Sequence, residues 1–194
     1  MKENMPESVT TVELANEFPE HARLAMGIIA GWNKIERHLA NLLADLTGMS
    51  MWQAVLVQSA VISPLAKIEL VYAAGKHFLQ FGQPKLMKEL DDLYGILVRR
   101  LGVRNIYAHG LYVKNQDGYL HILRTRYDWP NDPQSSMRVS RKSLQTELES
   151  MESVTGKIIK LGNEISLSKA NPELRATWLS VLVQQVDQDQ SSRE

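Results

Sequence analysis

The sequence predicts an all-α protein, a bundle of about five to six helices with one β-hairpin inserted after the fourth long helix. Three observations carry this. Apolar residues recur at helical spacing over long stretches. Proline and glycine stand where helices begin and end. The texture then changes once, just after Gly110, to short runs rich in β-branched and aromatic residues.

The first long helix is expected from about Pro19 to Leu46. Ile28, Trp32, Ile35, Leu39, Leu42 and Leu46 alternate spacings of three and four, and Thr47-Gly48 ends the pattern. A second helix is expected over Ser50 to Ile62. Ser63-Pro64 supplies an N-cap and a first-turn proline for a third, which runs to about Phe81 and stops at Gly82. Pro84 opens the fourth, which ends at Gly110. Leu111 to Lys114 and Tyr119 to Tyr127 then read as two strands, with Asp117-Gly118 as a two-residue turn between them. Residues 128–137 (DWPNDPQSSM) read as a loop. Ser140 or Ser143 caps a fifth helix to about Leu167, and Asn171-Pro172 starts a last short one with Leu174, Trp178, Leu182 and Val186. No repeat or internal boundary is visible, so residues 1–186 are expected to form a single domain, followed by a polar, disordered tail at 187–194.

Composition removes several functions. There is no cysteine, hence no disulfide framework, thiolate metal site or thiol nucleophile. The five histidines lack HExxH or HxH spacing, so neither a metal nor another cofactor is expected. The longest apolar run, Leu24 to Trp32, is far short of the about 20 residues of a membrane span. The first residues are polar and acidic, unlike a secretory signal, so no membrane partner and a cytoplasmic location are expected.

Net charge is zero but uneven. Residues 1–97 sum to −3, residues 98–142 to +6 and residues 143–194 to −3. The basic segment holds Arg99, Arg100, Arg104, Arg124, Arg126, Arg138, Arg141 and Lys142. It reads either as solvated surface or as an anion footprint that would bind RNA.

The fourth helix sharpens that choice. Leu86, Leu90, Leu93, Leu97 and Leu101 fall in one stripe about 80° wide, and the next position on it is Arg104. A guanidinium aimed inward needs partners: Glu36, Asp45 or Glu69 on another helix, or an anion from outside. Gly95, Gly102 and His109 form a second line, seven residues apart, along which a neighbouring helix, a second subunit or a ligand can approach. Asn105 and His109 share a face. Arg104 and His109 lie about 140° and about 7.5 Å apart along the helix, within reach of one phosphodiester. A histidine in the last turn before a glycine also suits the helix dipole, so a structural role for His109 stays open. Trp52, Trp129 and Trp178 read as core or loop anchors before base-stacking platforms.

The run Arg104-Asn105-Ile106-Tyr107-Ala108-His109-Gly110 is similar to the RNxxxH signature of the HEPN superfamily. The stretch GWNKIERHLANLL in the first long helix, and the hairpin after AHG, resemble those of bacterial members. The likeness covers most of residues 20–170. It implies a HEPN-like helical bundle and a homodimer whose two motifs meet across a two-fold axis in one basic cleft. It implies a metal-independent endoribonuclease in which His109 is general base or general acid, Arg104 binds the scissile phosphate and Asn105 positions its neighbours. The products would be a 2′,3′-cyclic phosphate and a 5′-hydroxyl. Toxin and defence roles are common in the family, and with them an antitoxin or regulatory partner. Some members carry a tyrosine two residues after the histidine that a partner modifies. Here that position is Leu111, with Tyr112 one further, so this regulation does not carry over. Three readings follow: a ribonuclease, a non-catalytic module that binds RNA or a nucleotide, and a dimeric scaffold.

Overall fold

The computed structural model describes residues 7–79, 83–123 and 136–170. Six helices and four short strands occur there, in the order β1 (Glu7–Ser8), α1 (Thr11–Glu17), α2 (Pro19–Thr47), α3 (Met51–Ala60), α4 (Pro64–Leu79), α5 (Pro84–His109), β2 (Leu111–Lys114), β3 (Leu120–Leu123), β4 (Ser136–Arg138) and α6 (Arg141–Ala170). The protein is mostly α with a β-hairpin after the long helix α5, as its sequence predicts. No helix among the described residues is long and apolar enough to cross a membrane.

The helices start where local chemistry starts them. Ser50 accepts from the backbone N–H of Gln53, whose side chain reaches back to the Ser50 N–H, a reciprocal cap. Ser63 precedes Pro64 at the head of α4, and its oxygen accepts from the Ala66 N–H. At α6 the cap is Ser140, which accepts from the Ser143 N–H at 3.0 Å. Helix α1 lies outside the expected set, although its capping box, Thr10 with Glu13, stands in the sequence as T-x-x-E.

The chain divides into two compact units. One takes Met1–Ile35 and Arg99–Ser153, the other Glu36–Val98 and Val154–Glu194. In the first unit the core gathers Ile28, Trp32 and Ile35 of α2, Ile122 of β3, and Leu144 and Met151 of α6, each no more than 0% exposed. In the second it gathers Leu39, Leu42, Leu43 and Leu46 of α2 with Ile68 and Leu79 of α4, Leu90 of α5 and Ile165 of α6. Burying each such side chain contributes about 1.5–3 kcal/mol. Helix α3, in the second unit, is turned the opposite way from most apolar helices. It buries only Ala54 and Gln58, while Trp52 is 70% exposed, so Trp52 is not the core anchor its type suggests.

The sheet belongs to the first unit and is antiparallel throughout, in the order β1-β2-β3-β4. Two of its strands were not expected. Glu7 and Ser8 pair with Lys114 and Val113. Ser136 and Met137, read from sequence as the end of a loop, lie in β4 against Leu123 and Ile122. The hairpin turn is also longer than two residues. Lys114 and Leu120 form its last ladder pair, the Asn115 N–H reaches the Tyr119 carbonyl, and the Gly118 N–H reaches the Asn115 carbonyl. Gln116 and Asp117 thus form the corner of a turn that Gly118 closes at φ +76°, a left-handed conformation that glycine adopts without strain. The expected strand residues from Arg124 onward, the expected helix after Pro172 and the tail lie outside the described residues.

Candidate active site at the end of helix α5

The leucine stripe of α5 is buried as predicted, from Leu86 at 5% to Leu101 at 7% exposure. Arg104 continues it and is half-buried. Its Nε is shielded from solvent and has no hydrogen-bond partner. The guanidinium forms no ion pair with a carboxylate among the described residues. It turns along its own helix instead. Nη1 donates to Asn105 Oδ1 at 3.1 Å and lies 3.2 Å from His109 Nε2. The three residues singled out from sequence therefore meet around one nitrogen. The side chains of Arg104 and His109 close the gap that helix geometry sets between their backbones.

The contact also specifies chemistry. A guanidinium has donors only, so His109 Nε2 meets Nη1 with its lone pair and any proton on the neutral ring sits on Nδ1. His109 and Asn105 are exposed, and so is Gly102 one turn before. A side chain at Gly102 would meet nothing within 4 Å. The glycine line is therefore open at Gly102 among the described residues.

Two groups hold the end of the helix in place, Gly110, which the sequence marks as its stop, and Tyr112, whose role here the sequence does not mark. Tyr112, on β2, donates its hydroxyl to the Tyr107 carbonyl in the last turn of α5, at 3.1 Å. Burial, then the neighbouring Tyr107, pushes the Tyr112 phenol up to about 12, so it stays a neutral donor. Gly110 follows His109 directly. A Cβ there would lie 2.5 Å from the Ile106 carbonyl oxygen and 2.6 Å from Ile122 Cγ1. Only glycine allows the helix to end this close to β3.

The wider basic segment is less uniform than its charge suggests. Arg100 forms a partly buried ion pair with Glu147 of α6, which removes it from the set free to meet an anion. Lys114 is paired with Glu17 at 2.7 Å. Arg138 stacks over the Tyr119 ring, 3.6 Å from its centroid. Arg141 is exposed beside Glu20 and His21; burial first, then the charge of Arg141, holds the His21 imidazole below its usual value. Arg99 and Lys142 are exposed. No hydrogen bond joins Arg99, Arg138, Arg141 or Lys142 to the Arg104 cluster. Arg124 and Arg126 lie outside the described residues. Among those described, no group of three or more His, Asp or Glu side chains is placed to hold a metal ion. Comparison with protein-family models, with curated proteins and with solved structures found no match.

Proposed function

We propose that the protein is an endoribonuclease of HEPN type that cleaves RNA by attack of a ribose 2′-hydroxyl on the adjacent phosphate. The observation that carries this is the meeting of Arg104, Asn105 and His109 around one guanidinium nitrogen, at an exposed helix end and without a competing carboxylate among the described residues. An entering phosphodiester supplies the anion that Arg104 lacks. Its non-bridging oxygens take the guanidinium fork, which draws Nη1 off His109 and frees the Nε2 lone pair. His109 then accepts the 2′-hydroxyl proton as the 2′-oxygen bonds to phosphorus. The bond to the 5′-oxygen breaks, and that oxygen leaves with a proton delivered by an imidazolium. The products are a 2′,3′-cyclic phosphate and a 5′-hydroxyl. Arg104 stabilises the charge that builds on the phosphorane oxygens, and Asn105 holds Arg104 in place.

All of these roles fall to protein groups. Cleavage of a single-stranded RNA should therefore continue in EDTA and stop when the scissile ribose is 2′-deoxy. Arg104→Lys keeps the charge but not the fork, and should lower the rate by about 10–100-fold. Purified protein that leaves single-stranded and structured RNAs intact, with or without added divalent metal, would overturn the catalytic reading. The Arg104–His109 contact also favours a second reading, in which the guanidinium keeps the imidazole occupied and the cluster binds RNA or a nucleotide without cutting it. Retained RNA with no cleavage is its signature.

A homodimer belongs to the same proposal. Gly102, Asn105 and His109 leave a backbone-close, open line on α5 that a second copy of the helix can approach across a two-fold axis. Gly102→Leu should shift the dimer dissociation constant upward by about tenfold or more, while denaturant stability of the monomer does not fall, since leucine favours an exposed helix interior over glycine by roughly 0.5–1 kcal/mol. Sedimentation equilibrium reads the first and urea melts the second. A wild-type protein that stays monomeric at high micromolar concentration would end this part of the proposal.

A further inference from the structure

Helix α3 buries a carboxamide where an apolar helix would be expected to bury a leucine. Gln58 is 4% exposed, and its Nε2 has no hydrogen-bond partner. A cavity of about 370 Å³, wholly inside the second unit, is lined by Gln58 together with residues of α2, α3 and α4. That volume lies in the range of small-molecule sites, about 300–1,000 Å³. Ala40, Met51 and Val55 give it an apolar wall. Its polar lining includes Glu36, Arg37 and Lys67. Lys67 is already neutralised by Glu36 at 2.6 Å, in a partly buried pair. Arg37 forms no ion pair among the described residues. The cavity is therefore lined by one cation without an ion pair among the described residues, by one carboxamide whose buried Nε2 has no partner, and by a hydrocarbon surface.

We propose that this cavity binds a small organic monocarboxylate. The carboxylate takes the Arg37 guanidinium and the Gln58 amide N–H, and the apolar body lies on Ala40, Met51 and Val55. A turn of the Gln58 carboxamide about its last torsion presents either its NH₂ or its oxygen to the cavity, and an anion selects the NH₂. The charge count selects the ligand class. A cation finds the only carboxylate already occupied by Lys67. A phosphate, with more charge and more acceptor oxygens, finds one free guanidinium and an apolar wall. A buried amide without a partner weakens the fold, and residues of that kind persist where binding uses them. None of these side chains belongs to the Arg104 cluster, so the inference stands apart from the ribonuclease reading.

The test is a titration of the ¹⁵N-labelled full chain, following the Gln58 side-chain NH₂ signals, which are identified by their loss in Gln58→Leu. Hexanoate and benzoate should move these signals saturably. Benzyl alcohol, with the same ring and no charge, should bind at least about tenfold more weakly, and Arg37→Gln should weaken benzoate by about the same factor. Gln58→Leu should weaken benzoate binding, followed at the Val55 backbone amide, by about tenfold and resist denaturant better than the parent, since it no longer buries an unpaired amide. If Gln58→Leu fails to fold, triple-resonance assignment of the parent identifies the same signals and Arg37→Gln, at an exposed position, decides the matter. Gln58 signals that neither carboxylate moves at millimolar concentration would overturn the proposal. So would equal binding of benzyl alcohol, or inorganic phosphate acting at lower concentration than benzoate.

Discussion

For the proposed ribonuclease, His109→Ala is expected to lower the rate of RNA cleavage by about 10²–10⁴, the span for loss of a positioned acid–base group. Its effect on stability should be small. His109 is exposed and its polar partner, Arg104, lies on the same helix; exposed substitutions of this kind usually change stability by about 0.5 kcal/mol or less. The two readouts therefore separate chemistry from folding. His109→Gln adds a control, because glutamine can still accept from Arg104 but cannot carry a proton through the reaction. It should retain RNA affinity while losing turnover. Cleavage that survives His109→Ala would place the activity elsewhere, and a variant that unfolds would make the histidine a helix-end brace.

The second large effect is expected at Gly110. An alanine Cβ would press on the Ile106 carbonyl and on Ile122, which is 0% exposed in β3. A backbone oxygen cannot rotate away, so either the end of α5 or the strand must shift. Overpacking of this kind costs about 1–3 kcal/mol, which for a chain of this length is roughly 2–4 °C of melting temperature per kcal/mol. The effect on activity should be larger than that on stability. His109 is the preceding residue, and a displacement of about 1 Å at a catalytic group costs on the order of 10²-fold. Ile122→Ala removes the side-chain half of the clash, so the double variant should be more stable than the sum of the two single changes predicts, by about 0.5–3 kcal/mol. Urea melts of the four proteins measure this. Strict additivity, or a Gly110→Ala protein as stable as the parent, would show that β3 does not crowd this position.

What could be read from the sequence is what local geometry determines. The α2 stripe from Ile28 to Leu46 is buried at every predicted position, and Ser50, Ser63 and Pro64 begin their helices as expected. Caps and periodicity involve neighbours within a few residues, so they leave a local trace. The convergence of Arg104, Asn105 and His109 is legible for the same reason: three residues on two turns of one helix need no tertiary information to meet. The strand β1 is the opposite case. Two residues, Glu7 and Ser8, have no pattern of their own and become a strand only because β2 pairs with them. The Arg100–Glu147 pair depends on how α6 lies against α5, across 47 positions of chain, and charge counting alone assigned Arg100 to the anion footprint. The turn was half legible. Gly118 stands in the turn as expected, in a left-handed conformation, but the number of residues it closes follows from the strand register.

The pairing of β1 with β2 also orders events in time. Glu7 and Ser8 leave the ribosome before their partners, Val113 and Lys114, which follow only after about 100 further residues. At about 5–20 residues per second, the first strand waits roughly 5–20 s for a neighbour. β4, which completes the other edge, is later still. The helices can form as they emerge, but the sheet that steadies the end of α5 is a late, long-range closure, slow for the entropic reason that distant segments must find each other. A nascent chain halted before Ser136 therefore carries Arg104 and His109 without the completed sheet beside them. Competence for the proposed cleavage is expected only in chains that extend past β4.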